Sequence, residues 1–147
     1  MSLRLVPSIH RATHRIGLYL AELRDDGLSQ GEAHILAHLA TAASPTIADL
    51  HRGLAHKRST LTSILDRLAD RGLITRDIGA LDRRTFVITP TPKGRQVARR
   101  VHQHLIDLEA AAARRVTKEE IRTFLKVLAA VEEEAHTRTR RLRDVVG

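Results

Sequence analysis

Residues 56–95 read HKRSTLTSILDRLADRGLITRDIGALDRRTFVITPTPKGR, and their pattern decides the fold. From Arg58 to Asp70, Leu61, Ile64, Leu65 and Leu68 recur at spacings of three and four, which predicts an amphipathic helix. Arg71-Gly72 supplies its stop, because glycine accepts the left-handed backbone that closes a helix. Leu73 to Ile78 and Arg84 to Thr89 alternate as paired strands do, joined by Gly79-Ala80-Leu81-Asp82. A basic amphipathic helix followed at once by a hairpin is the second half of a winged helix-turn-helix.

Upstream, Ser44-Pro45-Thr46 breaks the chain and caps a short helix from Ile47 to about Leu54. Ser29-Gln30-Gly31-Glu32 is a capping box for a helix carrying Ile35, Leu36 and Leu39. A first helix is expected from about Pro7 to Leu23, with Ile9, Ile16, Leu20 and Leu23 as its apolar stripe. Downstream, a helix opening at Thr91-Pro92 uses Val97, Val101, Leu105 and Leu108. Another opens with the capping box Thr117-Lys118-Glu119-Glu120 and uses Ile121, Phe124, Leu125, Leu128 and Val131. The expected fold is mainly α with a small β-hairpin wing. It divides into an N-terminal dimerisation helix (1–28), a winged helix-turn-helix DNA-binding domain (29–95) and C-terminal dimerisation helices (96–147). The outer helices carry apolar stripes with little of their own domain to cover them. A second copy is the expected cover, because wet apolar surface forfeits roughly 25 cal/mol per Å².

The net charge is +8, and it is focused. Residues 51–100 hold 12 Lys or Arg against 4 Asp or Glu, whereas residues 1–50 hold 4 against 5 and residues 101–147 hold 9 against 8. A positive field concentrated on the helix and hairpin implies a polyanionic partner. Arginine outnumbers lysine, and its planar fork suits phosphates and guanine edges. Aromatic residues are only 2 % of the chain, too few for base-stacking platforms, which favours duplex DNA over single strands. There is no cysteine, so disulfides and thiolate metal sites are excluded within the chain. No apolar run nears the roughly 18 residues of a membrane span, and the N-terminus lacks a secretory pattern. A cytoplasmic location, with no membrane partner, is the expectation.

The residues expected at DNA follow from position. Lys57, Arg58, Ser59, Thr60, Thr62 and Ser63 lie at or near the N-terminal, polar side of the helix, the end that such motifs present to base edges. Arg67 and Arg71 suit phosphate positioning, with Asp66 and Asp70 as competing partners. Arg83 and Arg84 on the hairpin loop suit the minor groove or its flanking phosphates. Nine histidines raise the question of metal. His10 with His14, and His34 with His38, share helix faces, but His102 and His104 point about 200° apart and cannot hold one ion. No metal or cofactor is expected, and a metal-responsive regulator stands only as an alternative. His34 and His38 flank the Ile35-Leu36-Leu39 stripe and are candidates for the border of an effector pocket. No nucleophile elbow, phosphate loop, HExxH helix or dinucleotide fingerprint is present, so no enzyme is expected.

Leu68-x-x-x-Gly72-Leu73-Ile74-x-Arg76, then Asp82-Arg83-Arg84, then Thr91-x-Lys93-Gly94 resembles the core of the MarR family of transcription factors. The element order is similar to that family over nearly the whole chain. The resemblance implies a homodimeric repressor on a pseudo-palindromic double-stranded operator, loosened by a small-molecule effector. It also implies that Asp82 orients a wing arginine rather than touching DNA. Two departures stand out. His56-Lys57 replaces the small residue and serine that often precede the recognition helix, weakening its cap unless Ser59 or the adjacent turn compensates. The second strand ends Ile88-Thr89-Pro90-Thr91 rather than Leu-Thr. The alternative to a regulator of this kind is a winged-helix module for protein interaction or non-specific DNA binding.

Overall fold

A computed structural model describes residues 3–23, 27–42, 44–54, 57–79 and 85–146. The elements are α1 (Leu5–Ala21), α2 (Gln30–Leu39), α3 (Ile47–Leu54), α4 (Arg58–Asp70), β1 (Ile74–Ile78), β2 (Phe86–Pro90), α5 (Pro92–Ala113) and α6 (Lys118–Val146). The order is the one the sequence predicts, with shifts at some ends. α1 starts two residues before Pro7 and stops at Ala21, short of Leu23. Its N-terminal residue Arg4 offers no side-chain cap, so nothing local marks the start. β2 runs to Pro90, one residue beyond Thr89, because Pro90 still pairs with Ile74.

Local chemistry fixes three helix starts. The hydroxyl of Ser29 accepts from the Glu32 amide at 3.2 Å while the Glu32 carboxylate accepts from the Ser29 amide at 2.8 Å. Thr46 and Asp49 make the same reciprocal pair before α3, and Thr117 and Glu120 before α6. Each pair satisfies amides that the first turn of a helix leaves without partners.

Two compact units make up the chain, Met1–Leu105 and Ile106–Gly147. The first holds the core. Ile35 and Leu36 of α2, Leu50 of α3, Leu61, Leu65 and Leu68 of α4, Leu73, Ile88 of β2 and Val97 of α5 are fully buried. The four predicted apolar positions of α4 all face inward, whereas Ile16 of α1 is exposed. The hairpin is a two-stranded antiparallel sheet in which Arg76 pairs with Ile88 and Ile78 with Phe86. It is anchored to the turn before α3 by the Ile88 amide, which donates to the Pro45 carbonyl at 2.9 Å, and by a bridge between Thr46 and Val87.

The second unit has a different surface. Among its described residues none is buried, and Phe124 and Leu125 on α6 are more than half exposed. The inward positions of the predicted stripe, Ile121, Leu128 and Val131, are only half-buried.

Candidate nucleic-acid interface

α4 separates its two faces cleanly. Leu61, Ile64, Leu65 and Leu68 are buried, and the opposite side exposes Arg58, Ser59, Thr60, Thr62 and Ser63 in its N-terminal half. Asp66 and Asp70 occupy the exposed face of the C-terminal half. Arg67 stands exposed between them, so the C-terminal half carries both signs of charge whereas the N-terminal half carries no acid. Lys57 precedes α4 in extended conformation and its carbonyl accepts from the Leu61 amide at 3.0 Å. Among the described residues no side chain caps α4, and Ser59 does not compensate for the departure at His56-Lys57. The helix start turns its positive dipole end towards Lys57 and Arg58, a favourable place for phosphate oxygen.

Two open clefts flank this segment. One, of about 650 Å³, lies between α2 and α4 and is bordered by Gln30, His34, Ser59, Thr60, Ser63 and Arg67. The other, of about 510 Å³, lies between α3, α4 and β2, bordered by Thr46, Arg52, Arg58, Thr62 and Phe86 among others. His34 thus borders a cleft beneath α4. Its neighbour His38 does not line that cleft; it is half-buried against α3, where a Cβ on Gly53 would meet its ring at 3.5 Å.

Arg67 and Arg71 do not pair with Asp66 or Asp70 in ion pairs of their own helix. Both reach Glu32 on α2: Arg67 Nε donates to Oε1 at 3.1 Å and Arg71 Nη1 to Oε2 at 3.3 Å. Arg71 also donates to the Gly27 carbonyl at 3.2 Å. Glu32 is 4 % exposed, and burial pushes its carboxyl up. The Ser29 amide and the two guanidiniums outweigh that push and hold the pKa below its ordinary value. The sequence shows Glu32 as half of a capping box. Its second role, fastening α4 to α2, has no local signal.

Asp66 is paired with Arg76 of β1, Nη2 to Oδ1 at 2.5 Å, which ties α4 to the first strand of the hairpin. Asp82, Arg83 and Arg84, and the turn residue His56, lie outside the described residues. Of the other histidines, His10 and His14 are exposed on α1. His104 Nδ1 sits 3.2 Å from the Tyr19 hydroxyl, with the two rings edge to face. Among the described residues there is no group of three or more His, Cys, Asp or Glu able to hold a metal. No described helix is long and apolar enough to cross a membrane.

A model of the MarR family matches residues 28–86. The HTH-type transcriptional regulator YwhA of Bacillus subtilis (strain 168) is 34 % identical over 86 residues, covering 58 % of this chain and 62 % of that protein. The match therefore spans less than two thirds of that relative. Among solved structures, wild-type MarR from E. coli in its apo form is similar with a TM-score of 0.67 and 25 % identity, over 89 % of this chain and 98 % of that one. A mutant MarR from E. coli complexed with operator DNA has a TM-score of 0.69 and 25 % identity, over 87 % of this chain and 91 % of that one. The S. aureus MepR–DNA complex, 18 % identical over 91 % of this chain and 99 % of that one, shares the fold with a TM-score of 0.77.

Proposed function

We propose that the chain, which is similar to the MarR family over residues 28–86, is a sequence-specific transcriptional regulator of double-stranded DNA, acting as a homodimeric repressor released by a small-molecule effector. The observation that carries this reading is the exposed N-terminal half of α4, where Lys57 and Arg58 stand beside four hydroxyl side chains and no acid. Such a surface matches the major groove: the guanidinium of Arg58 can grip guanine O6 and N7, and the hydroxyls can meet bases or phosphates. Arg83 and Arg84, on the loop between the strands, extend the grip to the neighbouring minor groove, with Asp82 orienting them.

Two-fold pairing of such helices sets half-sites about 10 base pairs apart. The exposed apolar side chains of α6 supply the surface that a second copy would cover. The cleft bordered by His34 opens beside Ser59, Thr60 and Ser63. A small molecule seated there would compete with DNA, which supports release by an effector. Selection of bound sequences from a random duplex pool tests the reading. Enrichment of a pseudo-palindrome is expected; enrichment of none would leave a non-specific or protein-binding module.

A further inference from the structure

Ser63 stands near the middle of the exposed face of α4, and its hydroxyl is engaged from one side only. It accepts from Arg67 Nη1 at 2.8 Å. Among the described residues it donates to nothing. Thr62, one position earlier, spends its hydroxyl proton on the Arg58 carbonyl at 3.0 Å. The two neighbouring hydroxyls therefore differ in what they offer. Thr62 has acceptor capacity left, whereas Ser63 retains its proton and has one lone pair occupied by a cation.

Arg67 is held in place to do this. Its Nε donates to Glu32 Oε1 at 3.1 Å, and Glu32 is itself pinned by the Ser29 amide at 2.8 Å and by Arg71 at 3.3 Å. The Arg67 side chain is about half exposed, but its fork is anchored at one edge to a carboxylate that is 5 % exposed. Hydrogen bonds in such a chain polarise one another, so a hydroxyl receiving a guanidinium N–H becomes a stronger donor through its own proton.

We propose that Glu32, Arg67 and Ser63 form a relay that sets Ser63 as a hydrogen-bond donor towards the major groove. Glu32 and Arg67 are then positioning residues for base selection at one base pair of each half-site. The base read is one that turns acceptors to the groove, guanine with O6 and N7 foremost. This inference rests on the reading of α4 as the recognition helix.

The test is position-resolved selection from a random duplex pool with the full chain, comparing wild type with Ser63→Ala, Arg67→Met and Glu32→Gln. Ser63→Ala is expected to reduce discrimination about three- to tenfold at one base pair per half-site, the worth of a single hydrogen bond. Arg67→Met should relax the same position and no other, and Glu32→Gln should do so more weakly, because an amide can still accept from Arg67 without its charge. In the Ser63→Ala background neither change should relax that position further. An unchanged preference in Arg67→Met, or an even loss of affinity across all positions, would overturn the relay and leave Arg67 a phosphate or packing residue. Ser63 and Arg67 are surface side chains, so those two variants carry the test if Glu32→Gln proves unstable. Failure of the wild type to enrich any motif would instead overturn the regulatory reading, a separate outcome.

Discussion

A Cβ on Gly94 would stand 1.8 Å from the carbonyl oxygen of Leu73. The first turn of α5 is thus pressed against the start of the wing, and Thr91 explains why. Its amide donates to the Leu73 carbonyl at 3.0 Å, its hydroxyl donates to the Gly72 carbonyl at 2.7 Å and accepts from the Gly94 amide at 3.0 Å. One threonine caps α5 and ties it to the turn that ends α4. Gly94→Ala is expected to cost about 3 kcal/mol or more, because the clash is with backbone rather than a movable side chain. Gly72→Ala faces no such overlap and pays only for its φ of +67°, about 1–2 kcal/mol. Urea unfolding of both variants checks the order; equal losses would contradict it.

The pair of Asp66 and Arg76 predicts a coupling between the recognition helix and the wing. Among the described residues Arg76 Nε is buried with no hydrogen-bond partner, and Asp66 engages the same guanidinium through Nη2. Asp66 is about half exposed, which limits the worth of the pair to about 1 kcal/mol. Asp66→Ala should lose that much stability, and the same change in an Arg76→Met background should lose distinctly less. A double-mutant cycle in chemical denaturation reads the difference, and a coupling of zero would rule the tie out.

These contacts mark where the sequence is readable and where it stops. The capping boxes at Ser29 and Thr117 are legible because their partners lie three residues away, within one turn, whereas at Thr46 the sequence shows the cap and the structure adds Asp49 as its reciprocal partner. Leu61, Ile64, Leu65 and Leu68 were legible as a buried face for the same reason of helical period. The partners of Arg67 and Arg71 were not, since Glu32 lies 35 and 39 residues away and meets them only through the crossing of α2 and α4. Nearby Asp66 and Asp70 looked equally suitable by spacing. The exposed cluster from Arg58 to Ser63 was legible because one helix end brings it together, whereas His34 and His38 share a face of α2 but meet different elements.

Acid should act on this fold through Glu32. Its folded pKa lies below its ordinary value of about 4.5, so its contribution to stability is present above that value. The contribution is lost as pH falls through the lower, folded pKa, when the carboxyl takes up a proton and releases Arg67 and Arg71. The wild type should therefore lose stability on descending below about pH 4.5. Glu32→Gln should be less stable at neutral pH but show a shallower acid limb. Denaturation midpoints between pH 3 and 7 decide the matter, and parallel curves for the two proteins would show that Glu32 is not the group responsible.

The apolar face of α6 makes the strongest demand on a partner. Phe124 is 57 % exposed and Leu125 55 %, neighbours on a helix with no buried residue among those described. Covering them with a second copy would gain about 1.5–3 kcal/mol per side chain. The double change Phe124→Glu with Leu125→Glu removes that gain and places two acids where apolar surface is to be buried. The helix itself should persist, because glutamate is a good helix former. Sedimentation equilibrium is expected to show a dimer for the wild type at micromolar concentration and a dimer dissociation constant raised roughly a hundredfold or more in the variant. Circular dichroism should show the helical content retained, which separates loss of pairing from loss of fold. A variant that sediments as the wild type does would move the dimer contact off this face of α6, to other apolar residues such as Leu5, Val6 and Leu18 of α1.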